Sequence, residues 1–313
     1  MTTLAPSRAR QSYRHEAFLW RGRSEYVAGL VPFVVEGLDE GETVIVGTTA
    51  EHAHWLRVEL GARAANVQFV DMEHLARNPA RVVPALMALL EECCGAGRPA
   101  RAIGEPVWPG RSPAEVVEAQ LLEAQLNLAV DPDLPFWLVC PYDADLADAL
   151  LDDAGRSHPV LATPTSYAGS GTYRGRDHAR ELFIADLPEL DVPDADVWVA
   201  ERTLDLAAEQ VTLRAAAGDL PSDKVVTLNG VVRDLVVDSV RRGARQARVR
   251  VWDEPSALVC EVFDPMVVGD LLVGRRAPSS GRTDPVWFAN QVCDLVQVRS
   301  NLRGTSVRLH LRK

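Results

Sequence analysis

The sequence predicts an α/β domain with a mostly parallel sheet, followed by an α+β domain with helices on one face of a mixed or antiparallel sheet. Three observations predict it. In the first half, short β-branched or apolar runs alternate with helical stretches of about a dozen residues, the pattern of βαβ units. Around "RSHPVLATPTSYAGSGTYRGRD" the composition shifts to Gly, Ser, Thr and Pro, which mark irregular chain. Beyond it the order becomes helix, helix, hairpin, helix, strand and strand. A length of 313 residues fits two domains.

In the first half, Tyr26, Leu30, Phe33, Val34 and Leu38 recur at helical spacing over about 24–37. Thr43 to Val46 is a buried-strand run, "AEHAHWLRVEL" is helical and "VQFVDM" is a strand. "PARVVPALMALLEECCGAG" reads as a helix stopped by Gly95 and Gly97, and "RAIGEPVW" as a strand that becomes a loop. In "SPAEVVEAQLLEAQLNLAV", Ser112 is placed to cap, Pro113 opens the first turn and Glu115 completes a capping box. "PFWLVCPYD" is a strand and "DADLADALLDDA" a helix.

The second half starts with a short strand and a connecting segment within "ELFIADLPEL" and "DVWVAERT". Helices follow over "LDLAAEQVTLRAAAGDL" and "PSDKVVTLNGVVRDLVVDSVRRGA". "ARVRVWDEPSALVCEVFDP" is a hairpin turning at "DEPS". "PVWFANQVCDLVQVRS" is a helix running into a strand, and "GTSVRLHLR" is the last strand.

Composition narrows the function. The net charge of −11 argues against non-specific binding to DNA or anionic lipid, so neither nucleic acid nor membrane is an expected partner. No apolar run approaches the roughly 18 residues that span a bilayer, and the basic N-terminus lacks an apolar secretory segment. Five irregularly spaced cysteines are expected to be free thiols in a reducing cytoplasm. They have no zinc-site spacing, and the seven histidines form no HExxH. "VIVGTTAEHAH" lacks the lysine and glycine spacing of a P-loop.

Within "DLVVDSVRRGA", Asp234, Asp238 and Arg242 lie four apart and stack on one helix face, while Val231, Val232, Leu235, Val236 and Val240 cover the rest. A solvated stripe with an i,i+4 ion pair explains this as it stands. So does a pair of acids that must project together towards a ligand.

The second explanation follows from a resemblance. Residues 195–313 resemble the GHKL ATPase fold, specifically the small anti-sigma-factor serine kinases. "DLVVDSVRRGA" falls at that family's N-box helix, "VFDP" at the strand ending in the adenine-binding Asp, "WFANQVCDLVQVRS" after the lid, and "RGTSVRLHL" at the closing Gly-Thr. The resemblance implies Asp234 as the catalytic acid or base, Asp238 as the Mg²⁺ ligand in place of Asn, and Asp264, Gly281, Gly304 and Thr305 as nucleotide contacts. Arg242 stands where the family has His, and Met266 where it has a glycine. Thr283, Asp284 and Pro285 interrupt the glycine-rich lid, and they repel phosphate or remove an N–H donor. These departures imply an eroded ATP site.

Residues 13–165 resemble the MEDS-type sensory domain. The matching segments are "HEAFLW", "FVVEGLDEGETVIV", "RAIGEPVWPGRSPAEVVEAQLLEAQLNLA", and "CPYD" with "HP" at His158. The resemblance implies a RecA-like parallel sheet without a P-loop, binding a small organic molecule. His15, Glu105, Trp108, Glu118, Glu123, Cys140 and Tyr142 are the candidate pocket residues. Many relatives read E-C-x-x-H-E along the helix, where this chain has Ala119 and Leu122 at the Cys and His positions. Trp108 and Tyr142 are equally suited to packing, and Cys140 to serving as a small buried hydrophobe.

Together these readings give a cytoplasmic two-domain regulator, with residues 166–194 as linker between sensor and output. The output binds a sigma factor or an anti-anti-sigma protein. The alternatives are an active ATP-dependent serine kinase, with Asp234 as base and Mg²⁺ on Asp238, and a homodimeric scaffold with neither ligand.

Overall fold

The structure, a computed structural model, describes residues 12–94, 98–278 and 283–313. The chain divides into two compact units, the first ending at Ala179 and the second beginning at Arg180.

The first unit contains β1 (Arg14–Trp20), α1 (Gly22–Asp39), β2 (Thr43–Thr48), α2 (Ala50–Leu60), β3 (Gln68–Asp71), α3 (Met72–Leu75) and α4 (Val82–Cys94). It continues through β4 (Ala100–Gly104), α5 (Pro113–Ala129), β5 (Phe136–Asp143), α6 (Asp148–Ser157), β6 (Val160–Thr163) and β7 (Ser166–Gly169) to α7 (Arg176–Ile184), which contains the boundary. Its sheet has the order β3-β2-β4-β5-β1-β6-β7. All pairings are parallel except that of β7 on β6. Apolar side chains cover both faces, as a parallel sheet requires. Phe18, Tyr26, Leu30, Val46, Leu56 and Val139 fill the side of α1 and α2. Val83, Leu90, Leu122, Leu126 and Leu138 fill the side of α4 and α5. The capping box at the start of α5 forms as its residue order predicts: Ser112 accepts from Glu115 N, and the Glu115 carboxylate accepts from Ser112 N at 2.8 Å.

Three elements differ from the sequence expectation. "RHEAFLW" is a full strand between β5 and β6, although it begins with three polar residues. Arg14 and Glu16 pair with each other and with Tyr167, and His15 has buried partners, so polar side chains are tolerated there. The Gly/Ser/Thr-rich segment after α6 carries the β6–β7 hairpin, whose edge strand needs few apolar residues. "ELFI" closes helix α7, where Ala179 and Phe183, four apart, are buried. Gly95 and Gly97, read as helix stops, lie outside the described residues.

The second unit contains β8 (Ala195–Val199), α8 (Leu204–Ala217), α9 (Ser222–Arg241), β9 (Ala247–Asp253), β10 (Ala257–Asp264), α10 (Pro285–Val292), β11 (Leu295–Asn301) and β12 (Gly304–Arg312). The strands form an antiparallel sheet, ordered β11-β12-β10-β9-β8. Strand alternation separates its faces. Val251, Cys260, Leu309 and Val296 are in register on one, and α9 buries Leu228, Val231, Val232, Leu235 and Val236. The other face is polar: Glu261 pairs with Arg250 and Arg308, and Arg308 donates to Pro188 O at 2.9 Å.

Arg101 on β4 is 1% exposed. It reaches Glu42, donates to Phe33 O at 2.8 Å and pairs with Glu36 at 3.1 Å. It fits only because Gly37 leaves room, since a Cβ there would stand 2.6 Å from its side chain. Removing one partner from a buried ion cluster strands the others, whereas exposed pairs contribute little. In denaturant titrations, Arg101→Ala should therefore lose about 3–5 kcal/mol. Arg248→Ala, which breaks the half-exposed pair with Asp196, should lose about 1 kcal/mol or less.

Candidate functional site

Besides the Arg101 ion cluster, the described part of the first unit brings together two further buried polar clusters and an apolar cavity. The tighter cluster is built from four elements. His15 comes from β1, Cys140 from β5 beside it, Glu123 from α5, and His158 from the residue that ends α6. The parallel register sets Ala17 opposite Cys140, so His15 and Cys140 share the α5 side of the sheet. One donor atom from each of the four lies within 4.8 Å of all the others, and all four residues are buried. His15 Nε2 is 3.0 Å from Glu123 Oε2 and 3.4 Å from Cys140 Sγ. His158 Nε2 is 3.0 Å from the same Oε2.

The outer ring nitrogens are also held. His158 Nδ1 donates to Ala154 O at 2.8 Å. Asn127, one turn beyond Glu123 on α5, donates its amide to Ser157 O at 2.8 Å, which aims Oδ1 at His15 Nδ1, 3.1 Å away. Burial and then the charge of His158 lower the pKa of His15, against the pull of Glu123. Burial works to raise Glu123, but the two imidazoles outweigh it and hold the carboxyl at about 2. Burial and then the Glu123 charge push the Cys140 thiol well up.

The second cluster lies where β2 and β4 end. These neighbouring strands continue into α2 and α5, which lie on opposite faces of the sheet, so this is a topological switch point. Glu105 accepts from His52 Nδ1 at 2.9 Å and from Thr48, and Thr48 meets the Tyr26 hydroxyl at 3.1 Å. Trp20 and Trp55 pack around His52. Burial and then the Glu105 charge push the Tyr26 phenol well above its ordinary value.

A cavity of about 560 Å³ lies on the α4–α5 side of the sheet. Ile45, Met72, Leu86, Leu89, Leu122 and Leu138 line most of it, with Glu123 and Cys140 on its wall. Mostly apolar walls with a few polar groups are the usual make-up of a small-molecule site.

The seven pocket residues expected from the sequence therefore separate. His15, Glu123 and Cys140 come together, and Tyr142 joins them through its ring, 5.7 Å from that of His158. Glu105 belongs to the other cluster. Glu118 is buried on α5 outside the cavity lining, and half-buried Trp108 carries the Arg111 guanidinium 3.6 Å above its ring. Ala119 and Leu122, where the resemblance implies Cys and His, lie in the apolar core. His158 was legible only as part of a motif, and nothing in the spacing singled out Asn127, His52 or Thr48.

In the second unit, Asp238, Arg242, Asp264 and Thr305 line a cleft of about 630 Å³. Arg242 bridges the acids: Nε donates to Asp238 Oδ2 at 2.8 Å and Nη2 to Asp264 Oδ2 at 2.5 Å. Asp264 Oδ1 accepts from Met266 N at 2.7 Å, so both its oxygens are used. Asp284 caps α10, accepting from Val286 N and Trp287 N at 2.9 and 3.0 Å. Those N–H groups are the ones a phosphate would take at a helix start. Asp234 is exposed and does not line the cleft. Thr305 donates to Met266 O at 2.7 Å, and Gly281 lies outside the described residues.

Gly304 starts β12 at φ +138°, where an added Cβ would collide with the carbonyl oxygen of Asp264. Gly304→Ala should destabilise the protein by more than about 1 kcal/mol, read from the denaturant midpoint. An unchanged midpoint would mean that the turn does not hold Asp264 in place.

Residues 14–159 match the family model described as MEDS, the MEthanogen/methylotroph, DcmR Sensory domain. No curated protein matches the chain. Among the described residues, no helix is long and apolar enough to cross a membrane.

Proposed function

We propose that the protein is a ligand-sensing regulator whose first unit takes up a small apolar organic molecule and whose second unit acts by binding a protein without turning over ATP. The observation that carries this reading is Arg242. Its guanidinium neutralises Asp238 and saturates Asp264, the two groups that Mg²⁺ and adenine would need. ATP would have to break a charge-assisted pair whose Asp264 partner is buried, and a few such lost bonds at about 1.5–3 kcal/mol each outweigh weak nucleotide contacts. The self-capped start of α10 adds to this. In keeping with the GHKL resemblance, the protein partner is a sigma factor or an anti-anti-sigma protein. The cleft volume favours the second reading, an active serine kinase, because it has room for a nucleotide once Arg242 moves.

Thermal unfolding in millimolar Mg-ATP separates the two. A nucleotide at a hundred times its Kd adds about 2.7 kcal/mol. We expect no rise in Tm, and a clear rise that disappears in Asp264→Ala would establish the kinase instead. For the sensing half, the neutral fluorophore 1-aminoanthracene should bind one per chain. Ala85→Trp, which fills the cavity from α4, should weaken binding about tenfold or more, the loss of roughly 1.4 kcal/mol of contact. Equal binding by both proteins would place the probe elsewhere and remove the cavity from the proposal.

A further inference from the structure

We infer that His15, Glu123, Cys140 and His158 form a binding site for one divalent first-row transition-metal ion such as Zn²⁺. Ala154 O can only accept, so His158 donates from Nδ1, and the neutral ring then turns the lone pair of Nε2 inward once any proton there is displaced by a metal. Asn127 Oδ1, fixed by the amide's bond to Ser157 O, does the same for His15. With both rings neutral, two lone pairs and a thiol sulfur surround a carboxylate. Outer partners that set the tautomer are what metal-binding histidines ordinarily have.

Two further observations point to an ion at the centre. Glu123 Oε1 is buried and makes no hydrogen bond, and His158 Nε2, though 3.0 Å from Oε2, makes none either. The spacings also fit. A tetrahedron with bonds of 2.0–2.3 Å has donors about 3.3–3.7 Å apart, and the observed separations of 3.0, 3.0 and 3.4 Å need only slight expansion. A set of two imidazoles, a carboxylate and a thiolate suits zinc and its borderline neighbours rather than Mg²⁺ or Ca²⁺. On binding, the Cys140 S–H bond breaks, sulfur ligates the metal and the proton leaves to solvent.

Glu123 and Cys140 also line the apolar cavity, so metal loading would set the charge and polarity of its wall. This regulatory meaning rests on the proposed sensing role, whereas the metal site itself does not.

The test is titration of the metal-free 313-residue chain with Co²⁺, followed by displacement with Zn²⁺. One equivalent should bind, with the visible bands of a tetrahedral ion, a near-ultraviolet thiolate-to-cobalt band and release of a proton. Cys140→Ser should lose the thiolate band, and Cys94→Ser should keep it. Asn127→Ala should weaken binding about tenfold to a hundredfold. His158→Ala should also weaken binding; circular dichroism checks folding, and if His158→Ala unfolds, Glu123→Gln replaces it. The inference is overturned if Co²⁺ gives no thiolate band, or if Cys140→Ser and Glu123→Gln bind as tightly as the parent. The cluster would then be a protonated hydrogen-bond network. If the metal binds but 1-aminoanthracene does not, the sensing reading falls and the metal site stands.

Discussion

The parallel pairing of β1 with β5 is the constraint on which the first unit depends. It places His15 beside Leu138 and Ala17 beside Cys140. A slip of one residue would turn every side chain of β1 to the other face. Phe18 and Trp20 would leave the core under α1, and His15 would leave Glu123. The same register joins β5 to β6 through β1, and so brings the end of α6, with His158, to the cluster. The apolar core and the polar cluster are therefore set by one ladder of backbone hydrogen bonds.

Both units bury charge, and both do so by surrounding each charged group with fixed partners. Arg101 and Glu261 have several opposite charges apiece, which confines them to structural roles. The His15–Glu123–Cys140–His158 group differs. Its donors converge on one point, and two of its polar atoms make no hydrogen bond. An unfilled buried polar atom costs roughly 1–3 kcal/mol, so such a group persists where something else satisfies it. Its place on the wall of an apolar cavity gives that arrangement a use, since the wall's polarity then depends on what the cluster holds.

The second unit keeps a cleft whose acidic groups are bound by a neighbouring guanidinium. Arg242, at the end of the stripe begun by Asp234 and Asp238, turns over the cleft floor and takes Asp264. Asp284 closes the start of α10 in the same way. In each case a single side chain satisfies groups that line or border the cleft.

Strong local signals were legible in the sequence. The capping box at Ser112, the period of α1 and the hairpin at "DEPS" each depend on neighbours a few residues apart, and each formed as read. The α/β and α+β order of the two halves followed from them. The i,i+4 pair of Asp238 and Arg242 was legible too, because helix geometry fixes it. β1 was not, because its polar residues are tolerated only by partners far along the chain. The hairpin after α6 looked irregular for the same reason, since its strands are held by an existing sheet edge rather than by their own apolar pattern. The four cluster residues span 15 to 158, and no local rule connects them. Sequence alone determined those elements whose signal lies among near neighbours, such as α1, α5 and the β9–β10 hairpin. Only the tertiary structure decided which polar groups meet, because strand order and register, set by burying both faces of the sheet at once, bring distant residues to one point.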